Sequence, residues 1–109
     1  MKQGNKNDLG KLRYDLIPVK PLEDIAKVLT YGAKKYGDRN WEQGIAWNRV
    51  YGAIQRHLNA FWAGEDIDPE SKLPHLAHAG CEIMFLLEFM RTHAELDNRV
   101  IKSKPPKTD

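Results

Sequence analysis

The residues best suited to acid-base or metal chemistry lie on one side of a predicted helix in the second half of the chain. His75, His78 and Glu82 are spaced at i, i+3 and i+7, which places them within about 60° of one another on an ideal α-helix. Apolar side chains continue the same side, so we expect these polar groups to be buried. A carboxylate out of water is costly unless it is protonated, hydrogen-bonded or faces a cation. Glu82 should therefore have such a partner.

An acidic loop at residues 65–74 directly precedes this helix. The preceding predicted helix carries His57, which is expected to face the stripe formed by His75, His78 and Glu82. Carboxylate oxygens suit Mg²⁺ or Mn²⁺, whereas imidazole ligands favour Mn²⁺, Co²⁺ or Zn²⁺. The pattern therefore predicts a pocket for a divalent metal, Mg²⁺ or Mn²⁺, or for a triphosphate. The candidate metal ligands are Glu65, Asp66, Asp68, His75 and Glu82. In the alternative interpretation His75 and His78 are structural core histidines, and Glu82 bonds to one of them.

A second cluster of candidate residues is basic and aromatic. Arginine presents a planar fork that matches phosphate oxygens, and an indole ring offers a flat face on which a base can stack. A nucleotide would use both features. The candidate substrate-binding residues are Lys34, Lys35, Arg39, Asn40, Trp41 and Arg56. The alternative is that these lysines and arginines are solvated surface residues, and that Trp41 anchors a loop.

Apolar residues at helical spacing predict three main helices, at about 21–36, 47–63 and 74–96. Residues 1–20 are polar and are predicted to form an N-terminal arm that packs on the helical domain of residues 21–96. Residues 97–109 form a basic tail with two prolines, which we expect to be disordered. The predicted fold class is therefore all-α, a small helical bundle, completed by oligomerisation because a chain of this size has a modest core.

Composition narrows the function classes. The chain has 109 residues, with 17 Lys and Arg against 15 Asp and Glu, so nothing favours a dedicated nucleic-acid or membrane surface. A single cysteine and the lack of an apolar stretch long enough to span a membrane are consistent with the cytoplasm. The sequence also lacks a Walker-type phosphate loop, paired zinc cysteines, a nucleophile elbow and a His-Asp dipeptide. Any phosphate binding must therefore be local.

Several motifs in unbroken order between residues 10 and 90 resemble those of a known family. They resemble the phage-associated dATP/dGTP diphosphohydrolase domain, which is related to the MazG-like all-α nucleoside triphosphate pyrophosphohydrolases. The motifs are KLRYDL at 11–16, YGAKKYGDRNW at 31–41, RH at 56–57, GED at 64–66, DPES at 68–71 and LPHLAHA at 73–79.

The resemblance implies hydrolysis between the α- and β-phosphates of a purine deoxynucleoside triphosphate, giving the monophosphate and pyrophosphate. It also implies a divalent metal, a helical bundle, a homo-oligomer that is a dimer or tetramer, and, for a phage protein, the host cytoplasm. The sequence departs from the MazG-like pattern, because Glu-Glu-x-x-Glu and Glu-x-x-Asp motifs are both missing. Residues 75–78 read HLAH where the second motif is expected, so no ligand set is carried over.

For such a reaction the candidate catalytic residues are Glu82, His57 and His78. The metal would orient a water molecule and lower its pKa, and Glu82 or His57 would act as the general base. The lysines and arginines of the second cluster would neutralise the pyrophosphate, and Trp41 or Trp47 would stack the base. The alternative from another class is a non-catalytic nucleotide-binding or oligomeric interaction module with structural histidines.

Overall fold

The computed structural model describes residues 3–101. Three α-helices dominate it: α1 spans Val19–Tyr36, α2 spans Trp47–Trp62 and α3 spans His75–Thr92. Short 3-10 turns occupy Tyr14–Leu16, Asn40–Gln43 and Ala94–Leu96. Within residues 3–101 no β-strand is formed, and one isolated bridge joins Ile67 to Pro74. The predicted all-α small bundle with three main helices is confirmed. No described helix is both long and apolar enough to cross a membrane.

Two helix boundaries differ from the prediction by two residues or more. α1 begins at Val19 after Pro18, two residues before the predicted start. Pro21 is tolerated because its missing N–H would have no partner in the first helical turn. α3 ends at Thr92 because His93 leaves the helical region, with φ of −138° and ψ of 50°, before the chain turns again at Ala94–Leu96.

α3 is the central helix, and it packs on α2 along one side and on α1 along another. Small residues on α3 allow both neighbours to approach closely. Ala77 is buried on the side of α3 that α1 covers. The α2–α3 core contains Trp47, Val50, Ile54, Ala79 and Phe89, and the α1–α3 core contains Val28, Ala77 and Cys81.

The ends of the described chain differ in how they contact the bundle. Residues 3–18 are exposed throughout, with Leu12 at 77%, so the expectation that the arm packs on its own domain is wrong. Beyond the last 3-10 turn, Asn98 and Asn48 exchange two hydrogen bonds of 2.7 and 3.0 Å. The Arg99 guanidinium lies 5.0 Å from the ring centroid of Trp47. The remainder of the predicted basic tail, residues 102–109, lies outside the described residues.

His93 joins several segments at the C-terminal end of α3. Its Nδ1 lies 2.9 Å from Glu95 Oε1, and its Nε2 lies 2.8 Å from the backbone oxygen of Glu42. Both partners only accept hydrogen bonds, so full pairing requires an imidazolium with two N–H donors. The hydrogen bond to the Glu95 carboxylate, then the one to the Glu42 carbonyl, raises the pKa of His93. The backbone oxygen of His93 also accepts a hydrogen bond from the Trp47 indole.

This geometry predicts that His93 stabilises the fold in a pH-dependent way. Because the folded pKa is raised, the contribution is fully present below the unfolded pKa of about 6.5 and is lost as pH rises through the folded value. His93→Gln should therefore lower the Tm more at pH 5.5 than at pH 8.5. The measurement is thermal unfolding of both proteins at each pH, compared as a difference. An equal loss of Tm at both pH values would show that His93 does not stabilise the fold as an imidazolium.

A histidine and carboxylate cluster as the candidate functional site

The candidate site lies where α2, the start of α3 and the intervening acidic loop meet. It is a cluster of seven side chains: His57, Glu65, Asp68, Ser71, His75, His78 and Glu82. The loop folds back on itself through the hydrogen bonds from Asp68 N to Leu73 O, 2.9 Å, and from Lys72 N to Asp68 O, 2.8 Å. Lys72 takes the left-handed conformation, with φ of 64°, which tightens this turn. The turn places the side chains of Asp68 and Ser71 beside His78 in the first turn of α3.

Three residues from three segments converge on one point. The rings of His57 and His78 stack with centroids 4.6 Å apart and planes within 7°. Asp68 Oδ2 lies 3.5 Å from His78 Nε2. Each of His57, Asp68 and His78 offers one ligand atom, and these atoms lie within 4.8 Å of one another. Ser71 completes the contact, because its Oγ lies 2.7 Å from His78 Nε2 and 3.2 Å from Asp68 Oδ2.

A second series of contacts runs from His57 towards the protein surface. His57 Nδ1 lies 2.8 Å from His75 Nδ1, and His75 Nε2 lies 2.7 Å from Glu65 Oε1. On its other ring nitrogen, His57 Nε2 lies 3.5 Å from Glu82 Oε1. His57 is therefore the residue that joins the acidic loop, the first turn of α3 and Glu82.

The protonation states favour metal binding at this point. Burial lowers the pKa of both His57 and His78, and the neighbouring imidazoles add to this effect at His57. Both rings are therefore neutral near pH 7, the form that coordinates a cation. Burial opposes the ionisation of Asp68, but hydrogen bonds from the Glu70 amide and the Ser71 hydroxyl lower its pKa overall. Two imidazole nitrogens and one carboxylate are a donor set that transition metals use.

Glu82 is a largely buried carboxyl group at the edge of the cluster. Burial raises its pKa to about 7, against the opposing field of Arg56. A carboxyl group that titrates near neutral pH can take a proton from water and release it again. Perturbed carboxylates of this kind occur often at functional sites.

The predicted metal ligands occupy different parts of the cluster. Asp68 lies in the three-residue group, where it is joined by His57 and His78, which were predicted as catalytic residues. His75 and Glu65 form the adjoining pair, and Glu82 borders His57. Asp66 is exposed and contributes its backbone oxygen to the amide of His75 at 3.0 Å.

Two residues at the site, Ser71 and Tyr31, were not among the residues predicted from the sequence. The rings of Tyr31 and His78 are perpendicular, with centroids 6.4 Å apart. The signal for Ser71 was its position three residues after Asp68 in a turn-forming segment. Tyr31 lies on α1, and no sequence spacing relates α1 to the first turn of α3.

The predicted substrate-binding residues divide into two groups. Lys35 lies near the cluster through its 2.9 Å ion pair with Glu70, and Arg56 is close enough to affect Glu82. Lys34 is exposed on the last turn of α1.

The other group lies farther along α3. Trp41 stacks on Phe85 at 4.3 Å, and Arg39 pairs with Glu42 at 3.1 Å. Asn40 accepts a hydrogen bond from Gln43. A cleft of about 350 Å³ adjoins this group and is lined by Arg39, Trp41, Glu42, Glu88 and Thr92. Trp47 is a buried core residue, so the expectation that it could stack a base is wrong.

Fold and cluster together define a small all-α domain with a histidine and carboxylate centre. The chain belongs to the dATP/dGTP diphosphohydrolase, N-terminal family, whose model matches residues 1–99. It is 36% identical over 96 residues to a dATP/dGTP diphosphohydrolase of Salmonella phage PMBT28. The aligned region covers 88% of this chain and 33% of the relative, so the chain spans about a third of that protein's length. No solved structure matches the chain. The family resemblance seen in the sequence is confirmed.

The raised pKa of Glu82 predicts that Glu82→Gln stabilises the metal-free protein as pH rises. The stability that the protonated Glu82 side chain gives the fold is fully present below the unfolded pKa of about 4.3. It is lost as pH rises through the folded pKa of about 7. Gln stays neutral, so its advantage over wild type should grow between pH 4 and pH 8. After discounting for partial exposure, we expect a gain of the order of 1–2 kcal/mol at pH 8.

Chemical unfolding in chelator at a series of pH values measures this difference. Glu88→Gln, an exposed carboxylate on the same helix, is the matched control and should show no such growth. A Glu82→Gln protein that is less stable than wild type at pH 8 would show that the ionised carboxylate is well paired in the fold.

Proposed function

We propose that this domain hydrolyses purine deoxynucleoside triphosphates to the monophosphate and pyrophosphate, with a divalent metal held by His57, Asp68 and His78. The observation that carries the proposal is the convergence of these three ligand atoms within 4.8 Å. The family and the printed name of the phage relative support the choice of substrate. The two imidazoles make Mn²⁺, Co²⁺ or Zn²⁺ a better fit than Mg²⁺.

A bound metal would supply Lewis-acid activation of the phosphate and of an attacking water. Glu82 accepts a proton from that water as the oxygen forms its bond to the α-phosphorus. The bond from the α-phosphorus to the bridging oxygen breaks, and the electron pair leaves with pyrophosphate. Arg56 and Lys35, which lie beside the cluster, stabilise the charge on that leaving group. For Lys35, this requires exchanging its ion pair with Glu70 for a phosphate oxygen.

The cleft beside Trp41 is the proposed location of the base. Trp41 packs on Phe85, which follows His78 by seven residues, or about 10 Å along the helix axis. A nucleoside triphosphate can span this distance with its phosphates at the cluster. Arg39 lines the cleft and Asn40 lies between Arg39 and Trp41 in sequence; both are proposed to hydrogen-bond the base edge or sugar. The preference for purines rests on the family.

A binding module without turnover is the second candidate. It is favoured by one observation, that the chain matches only 33% of the phage relative. In that case the histidine cluster binds the triphosphate or its metal, and hydrolysis needs further residues.

The first test is incubation of the protein with each of the four deoxynucleoside triphosphates, with Mn²⁺, Mg²⁺, Zn²⁺ or chelator. We expect metal-dependent release of dGMP or dAMP together with pyrophosphate, resolved by ion-exchange chromatography. In H₂¹⁸O the label should enter the monophosphate, because water attacks the α-phosphorus. Glu82→Gln should lower kcat by about 10²–10⁴-fold, as expected for loss of a general base.

Glu23→Gln, an exposed carboxylate on α1, is the control for this assay and should retain full activity. Label found in pyrophosphate would reject attack at the α-phosphorus. Tight nucleotide binding by a folded protein that turns over no nucleotide would reject the hydrolase and leave the binding module.

We also propose that the domain works as a homo-oligomer that buries the open face of α3. Leu76, Ile83, Leu87 and Met90 are 46%, 48%, 60% and 63% exposed, and they fall within an arc of about 60° on the helix. A helix that is apolar on nearly every side is normally buried, and α1 and α2 cover only the other sides. A second copy can cover this face through a two-fold interface, in which each copy presents the same surface.

Leu87→Glu should convert the oligomer to monomers because it places a charge on that apolar face. Light scattering after size exclusion measures the mass of each form. Tyr51→Glu, an exposed site on α2, is the matched control and should leave the mass unchanged. A wild-type protein that is monomeric at all concentrations would reject the proposal.

A further inference from the structure

We propose that Glu65 and His75 form a relay that sets the tautomer of His57 and leaves the Nε2 lone pair of His57 free to bind a metal. The inference rests on the proposed metal site, and it gives roles to two residues that do not belong to the three-residue group. Glu65 and His75 act on His57 and are therefore positioning residues.

The first step concerns the contact between the two imidazoles. His57 Nδ1 and His75 Nδ1 lie 2.8 Å apart, a distance at which one nitrogen donates and the other accepts. A single hydrogen occupies this contact. The tautomers of the two rings are therefore coupled.

The second step gives the contact its direction. His75 Nε2 lies 2.7 Å from Glu65 Oε1, and an ionised carboxylate only accepts. The proton of His75 is therefore on Nε2. A neutral His75 then offers the lone pair of Nδ1, so His57 donates its Nδ1 hydrogen and keeps Nε2 unprotonated.

The relay has one other proton arrangement. A second proton on His75 would reverse the contact between the rings and place the hydrogen of His57 on Nε2, towards Glu82. We assign the arrangement in which each ring carries one hydrogen, because these two hydrogens fill the contact between the rings and the contact with Glu65.

The consequence is an oriented ligand. His57 Nε2 lies 3.5 Å from Glu82 Oε1, and its ring is held against His78 by stacking. A partner on the far ring nitrogen is how proteins commonly fix a metal-binding imidazole and raise its basicity. Here that partner is a second imidazole, and the carboxylate lies one residue farther out.

Glu65→Gln tests the direction of the relay without changing its shape. A glutamine side chain can accept through its oxygen or donate through its nitrogen, so it still bonds to His75 but no longer imposes one tautomer. The full chain is labelled with ¹⁵N and kept in chelator, and long-range NMR correlations report which nitrogen of His57 carries hydrogen. Wild type should show hydrogen on Nδ1 alone, and Glu65→Gln should show a mixture.

The same variants are then titrated with Zn²⁺. Glu65→Gln should bind it about 10–100-fold more weakly, the usual effect of losing an outer partner of a ligand, with an unchanged circular dichroism spectrum. Glu23→Gln should match wild type in both measurements. Hydrogen on His57 Nε2 in the wild-type protein, or no change of tautomer and affinity in Glu65→Gln, would overturn the relay.

The two proposals can fail separately. The tautomer is read from metal-free protein without substrate, so a protein that hydrolyses nothing can still show the relay. A protein that hydrolyses nucleotides while His57 carries its hydrogen on Nε2 would retain the proposed function and lose this inference.

Discussion

The packing of α2 against α3 is the contact on which both the fold and the candidate site depend. At one end the contact is apolar, with Phe89 fully buried among residues of the α2–α3 core. At the other end the same helix faces carry His57 and His78, stacked at 4.6 Å. On α2, the buried residues Trp47, Val50 and Ile54 lead at helical spacing to His57. A shift that separated the two helices would therefore disrupt the core and the cluster together.

The polar end of this contact is stable because almost every polar group in it has a partner. Among residues 3–101, no buried side-chain nitrogen or oxygen lacks a hydrogen bond, which is what a native core requires. Glu82 is the member whose ionised form is least well compensated, since burial dominates its raised pKa. Groups kept in such an environment often serve function at some expense of stability. Asp68 shows the opposite tendency, because hydrogen bonds from the Glu70 amide and the Ser71 hydroxyl outweigh burial and lower its pKa.

The sequence predicted the features that follow from periodicity within one element. The three helices and the i, i+3, i+7 stripe on α3 needed no knowledge of their neighbours. Assignments that depend on a second element were less accurate. The arm was expected to pack on the helical domain, and it stays exposed although it carries apolar residues. The roles of His57 and His75 depend on a contact of 2.8 Å between two helices, which spacing along the chain cannot give.

The distribution of charge determines how this nearly neutral chain would bind the proposed triphosphate substrate. The net charge of +2 gives no long-range attraction for an anion. At the cluster, the imidazoles that burial keeps neutral leave Asp68 as the charged member of the three-residue group. Without a cation this centre would repel phosphate, and Lys35 is already paired with Glu70. The proposed metal would therefore have an electrostatic role as well as a chemical one, because a bound dication would make the point where His57, Asp68 and His78 meet attractive to a polyanion.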